Sequence, residues 1–264
     1  MNKHLPRFAW LAGASLALLA LACDDDKASS ASPEAAAPAV ASAPPPAASS
    51  AAPVATTPPA KKPQGPCSKD PTITFTDANT ETVFRRVLQK PTGPILRADL
   101  KRVKTLVLTE TPSTDLDMCI VLECTNLQTI YLGPGDLDDV SPFKKLTSLS
   151  TLGLVKTQVK DLSPLQVLGQ MDRLLLSHTP VEDISVIASM PKLTELSIDD
   201  TNVKDISVLA KTPLLEKLSL RNTLVTDLSP LRGLRALKEL NIAGSAVKDI
   251  SAVQSIPRLK IIQE

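Results

Sequence analysis

From Leu127 onward the chain repeats every 22 residues, and a period of that length leaves few ways to fold. Leu127, Leu149, Met171, Leu193, Leu215, Leu237 and Leu259 open successive copies, with no insertion between them. The shared frame is L-x-x-L-x-L-x-x-T-x-V-x-D-[LI]-S-x-[LVI], cleanest over residues 152–165. A unit this short cannot bury an apolar face alone, so each copy must stack on its neighbours. The alternation L-x-L sends the fourth and sixth residues, such as Leu174 and Leu176, from a short strand into a shared core. The residues between them face outward.

A fixed 22-residue period built on L-x-x-L-x-L is the signature of leucine-rich repeats. It predicts an α/β solenoid: a horseshoe with a parallel concave sheet and short helical turns on the convex side. The D-[LI]-S-P-L segment resembles the repeats of internalins and related bacterial envelope proteins. Upstream, Ile73, Phe75, Asp77, Asn79, Glu81, Phe84 and Arg85, then Lys90-Pro91, Gly93, Ile95 and Asp99-Leu100, resemble the helical cap that precedes many such arrays. The resemblance implies an N-terminal cap over 67–102, a repeat array over 103–264, and a binding role with no named ligand. A degenerate first copy fills Val103 to Asn126, with Asp117-Met118-Cys119-Ile120-Val121 on the D-[LI]-S-P-L frame and two extra residues near Thr111 to Asp115.

The ninth position reads Thr157, Thr179, Thr201, Thr223 and Ser245, a column of hydroxyls suited to bonding the turn backbone. Asp139, Asp161, Asp183, Asp205, Asp227 and Asp249 recur as the chain leaves the strand. Stacking sets these carboxylates about 4.8 Å apart, so each needs a local partner. Amides at the start of the convex turn, by the constant Ser, supply one. A calcium ladder is the competing reading.

The first 22 residues read as a lipoprotein signal peptide: Lys3 and Arg7, then an uncharged apolar run from Phe8 to Ala22. That run is too short to span a bilayer comfortably. Ala20-Leu21-Ala22-Cys23 resembles the lipobox of bacterial lipoproteins. The resemblance implies cleavage before Cys23 and acylation of its sulfur and new amine, and two or three acyl chains anchor stably where one does not. Residues 23–66 then form a tether: of the 40 residues from Lys27 to Pro66, 14 are Ala and 10 are Pro, too few apolar groups for a core. The expected location is the bacterial envelope, lipid-anchored, on the periplasmic or outer surface. With Cys23 acylated, Cys67, Cys119 and Cys124 remain, and a bridge from Cys67 to one of the other two would fasten the cap.

Enzyme chemistry finds no footing. There are 29 Lys+Arg against 28 Asp+Glu, so no basic surface for nucleic acid is expected. Two histidines cannot build a histidine-rich metal site, three cysteines lack a fourth ligand, and six aromatics give little to stack a cofactor on. Gly133-Pro134-Gly135 is too short for a phosphate loop, and His178 reads as a rim residue. No catalytic residue, cofactor or metal is assigned.

On the concave face, Arg173, Glu195, Lys217 and Glu239 alternate in sign at the third position, and Asp199 precedes Arg221 at the seventh. Cross-strand pairing would neutralise this half. Nearer the cap the outward residues are Thr129, Tyr131, Gly133, Thr151, Gly153, Val155 and Leu175. Tyr131, Gly153 and Leu175 share the fifth position, which predicts a notch over Gly153 for an apolar anchor. Tyr131, Val155 and Leu175 are therefore the expected partner-binding residues. The favoured function is an envelope lipoprotein that binds another protein; the alternative is a self-associating structural component without a specific ligand. Past Leu259 the array is one strand into a seventh copy, leaving core uncovered below Ile242 and Ile262. Fraying there, or docking to a second copy, is expected.

Overall fold

The computed structural model describes residues 67–112 and 116–264. The chain divides into two units, Met1–Ala60 and Lys61–Glu264. The signal segment, Cys23 and the tether lie outside the described residues.

Eight strands form one open parallel sheet in strict chain order. They are β1 (Thr105–Leu108), β2 (Thr129–Leu132), β3 (Thr151–Leu154), β4 (Arg173–Leu175), β5 (Glu195–Ser197), β6 (Lys217–Ser219), β7 (Glu239–Asn241) and β8 (Lys260–Ile262). Each pair from β2 to β7 steps by one repeat: Ile130 pairs Leu152, Leu174 pairs Leu196, and Leu218 pairs Leu240. The fourth and sixth positions fill a continuous core, with Leu154, Leu174, Leu176 and Ile198 at zero exposure. This is the leucine-rich repeat solenoid that the period predicts.

The register departs from 22 at both ends. Leu106 pairs Ile130, a step of 24 that puts the two extra residues of the first copy between Leu108 and Asp117. At the other end Leu240 pairs Ile261, a step of 21, which corrects the uninterrupted count. Arg258 turns left-handed (φ 59°), and a single residue, Lys260, then separates Leu259 from the core-facing position. Earlier copies place two there, as in Leu193-Thr194-Glu195-Leu196. Ile261 therefore takes the core slot expected of Ile262, and Ile262 turns to the concave side.

On the convex side short 3₁₀ helices begin at the constant Ser: Ser141–Lys145, Ser163–Val167, Ser185–Ser189, Ser207–Lys211 and Ser229–Leu231. Proline in the first turn suits three of them, because its fixed φ and missing N–H cost nothing there. In all six copies the Asp carboxylate accepts from the Ser amide two residues on, at 2.7–2.8 Å. The degenerate copy does the same with different residues. Asp117 caps α3 (Met118–Glu123) by accepting from the Cys119 amide at 2.8 Å.

Before β1 stands helix α1 (Ala78–Leu88), whose N-cap Asp77 accepts from the Thr80 amide at 2.6 Å. It packs against β1 and, with Ile73, Ile95 and Leu100, closes that end of the core. Residues 67–72 bury nothing themselves. They are latched by a Cys67–Cys119 disulfide and by Arg97, in the short helix α2 (Arg97–Leu100), which donates to the carbonyls of Ser68 and Asp70 and pairs with Glu123 at 2.8 Å. The chain-entropy effect of closing a loop this long is about 4 kcal/mol. Cys124 stays unpaired and buried, and burial pushes its thiol up to about 12.

Candidate functional site: the concave face near the cap

A pleated strand shows alternate residues on each side, so the outward face is read at the third, fifth and seventh positions. Over β1 to β3 these are Thr105, Val107, Thr109, Thr129, Tyr131, Gly133, Thr151, Gly153 and Val155, and none is charged. The register aligns Val107, Tyr131, Gly153 and Leu175 in one column, as the repeat count requires for the last three. Tyr131, Val155 and Leu175 are half-buried, whereas Val107 is 48% exposed. Sequence reasoning missed Val107, because the first copy departs from the frame. Counting the two extra residues back from Tyr131 would have found it.

The notch expected over Gly153 is not there. A Cβ on Gly153 would lie 2.5 Å from Tyr131 Cδ1, so the tyrosine ring already occupies that space. Glycine in β3 therefore serves to seat a neighbour's side chain. The result is a platform in place of a hole: Tyr131 leans on Gly153, flanked by Val107, Val155 and Leu175.

Beyond β4 the face turns polar. Arg173 Nε lies 3.7 Å from Glu195 and 3.6 Å from Asp172. Among the described residues this is the one rung of the third-position column that closes to an ion pair; Lys217 and Glu239 stand opposite one another without closing. The expected Asp199–Arg221 pairing also takes another form. Asp199 accepts from the Arg221 backbone amide at 2.9 Å, while the guanidinium reaches Asp200 at 3.5 Å.

Asp200 is the hub of the rim. The Asn222 side-chain amide donates to it at 2.8 Å, and His178 Nε2 lies 3.6 Å away. The Asn222 hydrogen bond first, then the nearby His178 and Arg221, hold its carboxyl below the usual range against some burial. His178 is left-handed (φ 58°) and 41% exposed at its side chain, a rim residue as expected. The Ser177 hydroxyl pairs with Ser197 at 2.9 Å, so it and His178 do not meet as nucleophile and base. Among the described residues no three His, Cys, Asp or Glu side chains converge on a metal position. The convex grooves beside Asp161 and Asp183 are open and of mixed polarity, on the opposite side from the platform.

The family model for leucine-rich repeats in two copies matches residues 213–262. No curated protein sequence matches the chain. Among solved structures, an internalin C2 of Listeria monocytogenes superposes with a TM-score of 0.60 at 24% identity, over 72% of this chain and 94% of its own. A second internalin of that species, internalin F, gives 0.57 at 25% identity over 72% of this chain, and the match spans 63% of its own length. A leucine-rich repeat protein of Leptospira interrogans gives 0.51 at 18% identity, covering 62% of this chain and 49% of its own. The fold is thus an internalin-like leucine-rich repeat solenoid, an architecture generally used for protein–protein recognition.

Proposed function

We propose that this chain is a membrane-anchored lipoprotein that binds another protein in the bacterial cell envelope through the cap-proximal concave surface. The platform of Tyr131 on Gly153 carries the reading. A large amphipathic ring held in place before binding loses little freedom on contact, and Tyr is favoured at interface hot spots. Val107, Val155 and Leu175 extend it into an uncharged apolar patch, and the polar half beyond Arg173 supplies rim contacts and orientation. No helix among the described residues is long and apolar enough to cross a membrane. Anchoring is assigned to acylated Cys23 on the lipobox resemblance of Ala20 to Cys23.

Two measurements test this. Envelope extracts passed over the wild-type chain should yield one saturable partner. Tyr131→Ala/Leu175→Ala should weaken that complex by about 2 kcal/mol or more while leaving the unfolding midpoint nearly unchanged. Full affinity in the double variant would move the site elsewhere. Separately, Cys23→Ala should shift the chain from membrane to soluble fractions. Unchanged partitioning, with no acyl mass on the wild-type N-terminus, would remove the anchor.

A further inference from the structure

The two ends of the solenoid are finished differently. At the first, α1 packs over β1. At the last, no described residue covers the core. Val159, Val181, Val203 and Val225 are fully buried in their column, yet Val247 in the same column is half-exposed. Ile250, Leu259 and Ile261 are half-exposed too, where Leu228, Leu237 and Leu240 are buried. The outer edge of β8 borders this face. Lys260 N–H and Ile262 C=O turn to β7, bonding Lys238 and Ile242 at 2.9 and 2.8 Å. Backbone groups alternate sides along a strand, so Ile261 presents its N–H and C=O outward. Natural edges are blunted by short strands, charged side chains (lysine above all), proline, bulges or inward charge; β8 is short and carries Lys260, which blunts it only in part. From Leu259 to Glu264 there is no proline, and Lys260 is the one cation.

The sequence along that edge is complementary to itself. Lys260-Ile261-Ile262-Gln263-Glu264, run antiparallel to a second copy about Ile262, sets Ile261 opposite Gln263, the outward-bonding residues of each strand. Ile262 then meets its own counterpart as a non-hydrogen-bonded pair, about 4.5 Å between Cα atoms. Lys260 falls opposite Glu264 on both sides of the axis. The same pairing extends an existing pattern. The third-position column runs Arg173, Glu195, Lys217, Glu239, Lys260, and Glu264 of the second copy continues the alternation of sign across the seam. A slip by one residue sets Lys260 opposite Ile262 and loses both charge pairs.

We propose that this chain forms a twofold dimer by antiparallel pairing of its β8 edges, joining two eight-stranded sheets into one and covering Val247, Ile250, Leu259 and Ile261. Because α1 covers the opposite end, the association closes at two copies and does not grow into a filament. The concave platform near the cap stays free, so the dimer stands or falls separately from the partner-binding proposal.

The test is charge exchange in the full-length chain, in detergent solution, read by sedimentation equilibrium. Wild type should dimerise. Lys260→Glu and Glu264→Lys should each weaken the dimer about tenfold or more, since like charges then face each other twice. The double variant Lys260→Glu/Glu264→Lys should recover wild-type association. As a positional check that does not depend on charge, Ile262→Cys should cross-link copy to copy under mild oxidation, whereas Leu224→Cys, 48% exposed but away from β8, should not. A monomeric wild type, a dimer indifferent to both single exchanges, or a double variant no better than either single one would each overturn the proposal.

Discussion

The ninth residue of each copy stands where the chain leaves the sheet and turns its carbonyls inward. Thr179, Thr201, Thr223 and Ser245 donate to the carbonyls of Leu176, Ile198, Leu220 and Ile242 at 2.6–2.7 Å. Thr157 is fully buried at the same position, but its hydroxyl has no partner. Valine has threonine's shape without the hydroxyl, so it separates the two situations. Thr201→Val should cost about 1–2 kcal/mol by stranding a buried carbonyl, whereas Thr157→Val should be neutral or stabilising. Denaturant titration of the two variants gives the comparison, and equal losses would mean the Thr157 hydroxyl is satisfied after all. The Asp column supplies a pH dependence. Backbone and hydroxyl hydrogen bonds from Ser163, Ser229 and Ser251 hold the carboxyls of Asp161, Asp227 and Asp249 below their usual range; Asp139 beside Asp161, and Asp227 beside Asp249, push weakly the other way. A carboxyl depressed on folding stabilises the fold fully above its unfolded value, and that stability drains as pH falls through the folded one. Asparagine at these three positions keeps the acceptor for the serine amide and cannot titrate. The triple Asn variant should therefore show a shallower fall of Tm below about pH 4 than wild type. Parallel curves would assign the acid sensitivity to other groups.

A strand of three or four residues cannot hold itself, so each element here depends on those beside it. Leu176 makes the point. It is fully buried, with Leu154 and Ile198 in the adjoining copies equally so. Leu176→Ala should cost roughly 2–5 kcal/mol, measured as a shift of the denaturant midpoint; a change below about half a kcal/mol would mean that the site collapses around the gap. At this scale the sequence was readable wherever one residue type recurs in one place. Spacing gave the strands, the core columns, the Asp turns and the alignment of Tyr131, Gly153 and Leu175. It failed where geometry depends on a side chain reaching sideways or on a turn closing early. Register shows that Gly153 lacks a side chain, but not that the Tyr131 ring will lie in the space. Alternating charges at 173, 195, 217 and 239 promise a ladder, yet long flexible side chains in water gain little by closing each rung, and one does. The 21-residue final step follows from backbone bonding of β8 to β7, which neither Leu259 nor Ile262 reveals in the sequence.

For the solenoid as a whole, nearest-neighbour stacking makes stability a property of position along the array. An inner copy is held on two sides and an end copy on one, unless something covers it. Here the cap end is covered by α1 and its leading segment is tied by the Cys67–Cys119 disulfide, while the last copy leaves Val247, Ile250 and Leu259 half-exposed. Opening should therefore be lopsided, beginning at β8 and spreading inward. Amide exchange reads this directly. In the monomer, favoured by Glu264→Lys at low concentration, the amides of Lys260 and Ile242, bonded to Lys238 and Ile262, should exchange well before those of Leu176 and Ile198, bonded to Ser197 and Ser219. In wild type the same two C-terminal amides should slow as concentration rises, because pairing of β8 supplies the missing neighbour. The central amides should hardly respond. Uniformly strong protection through Lys260 in a strictly monomeric sample would mean that the last copy is held without a neighbour, and that the half-exposed residues on its outer face weaken nothing.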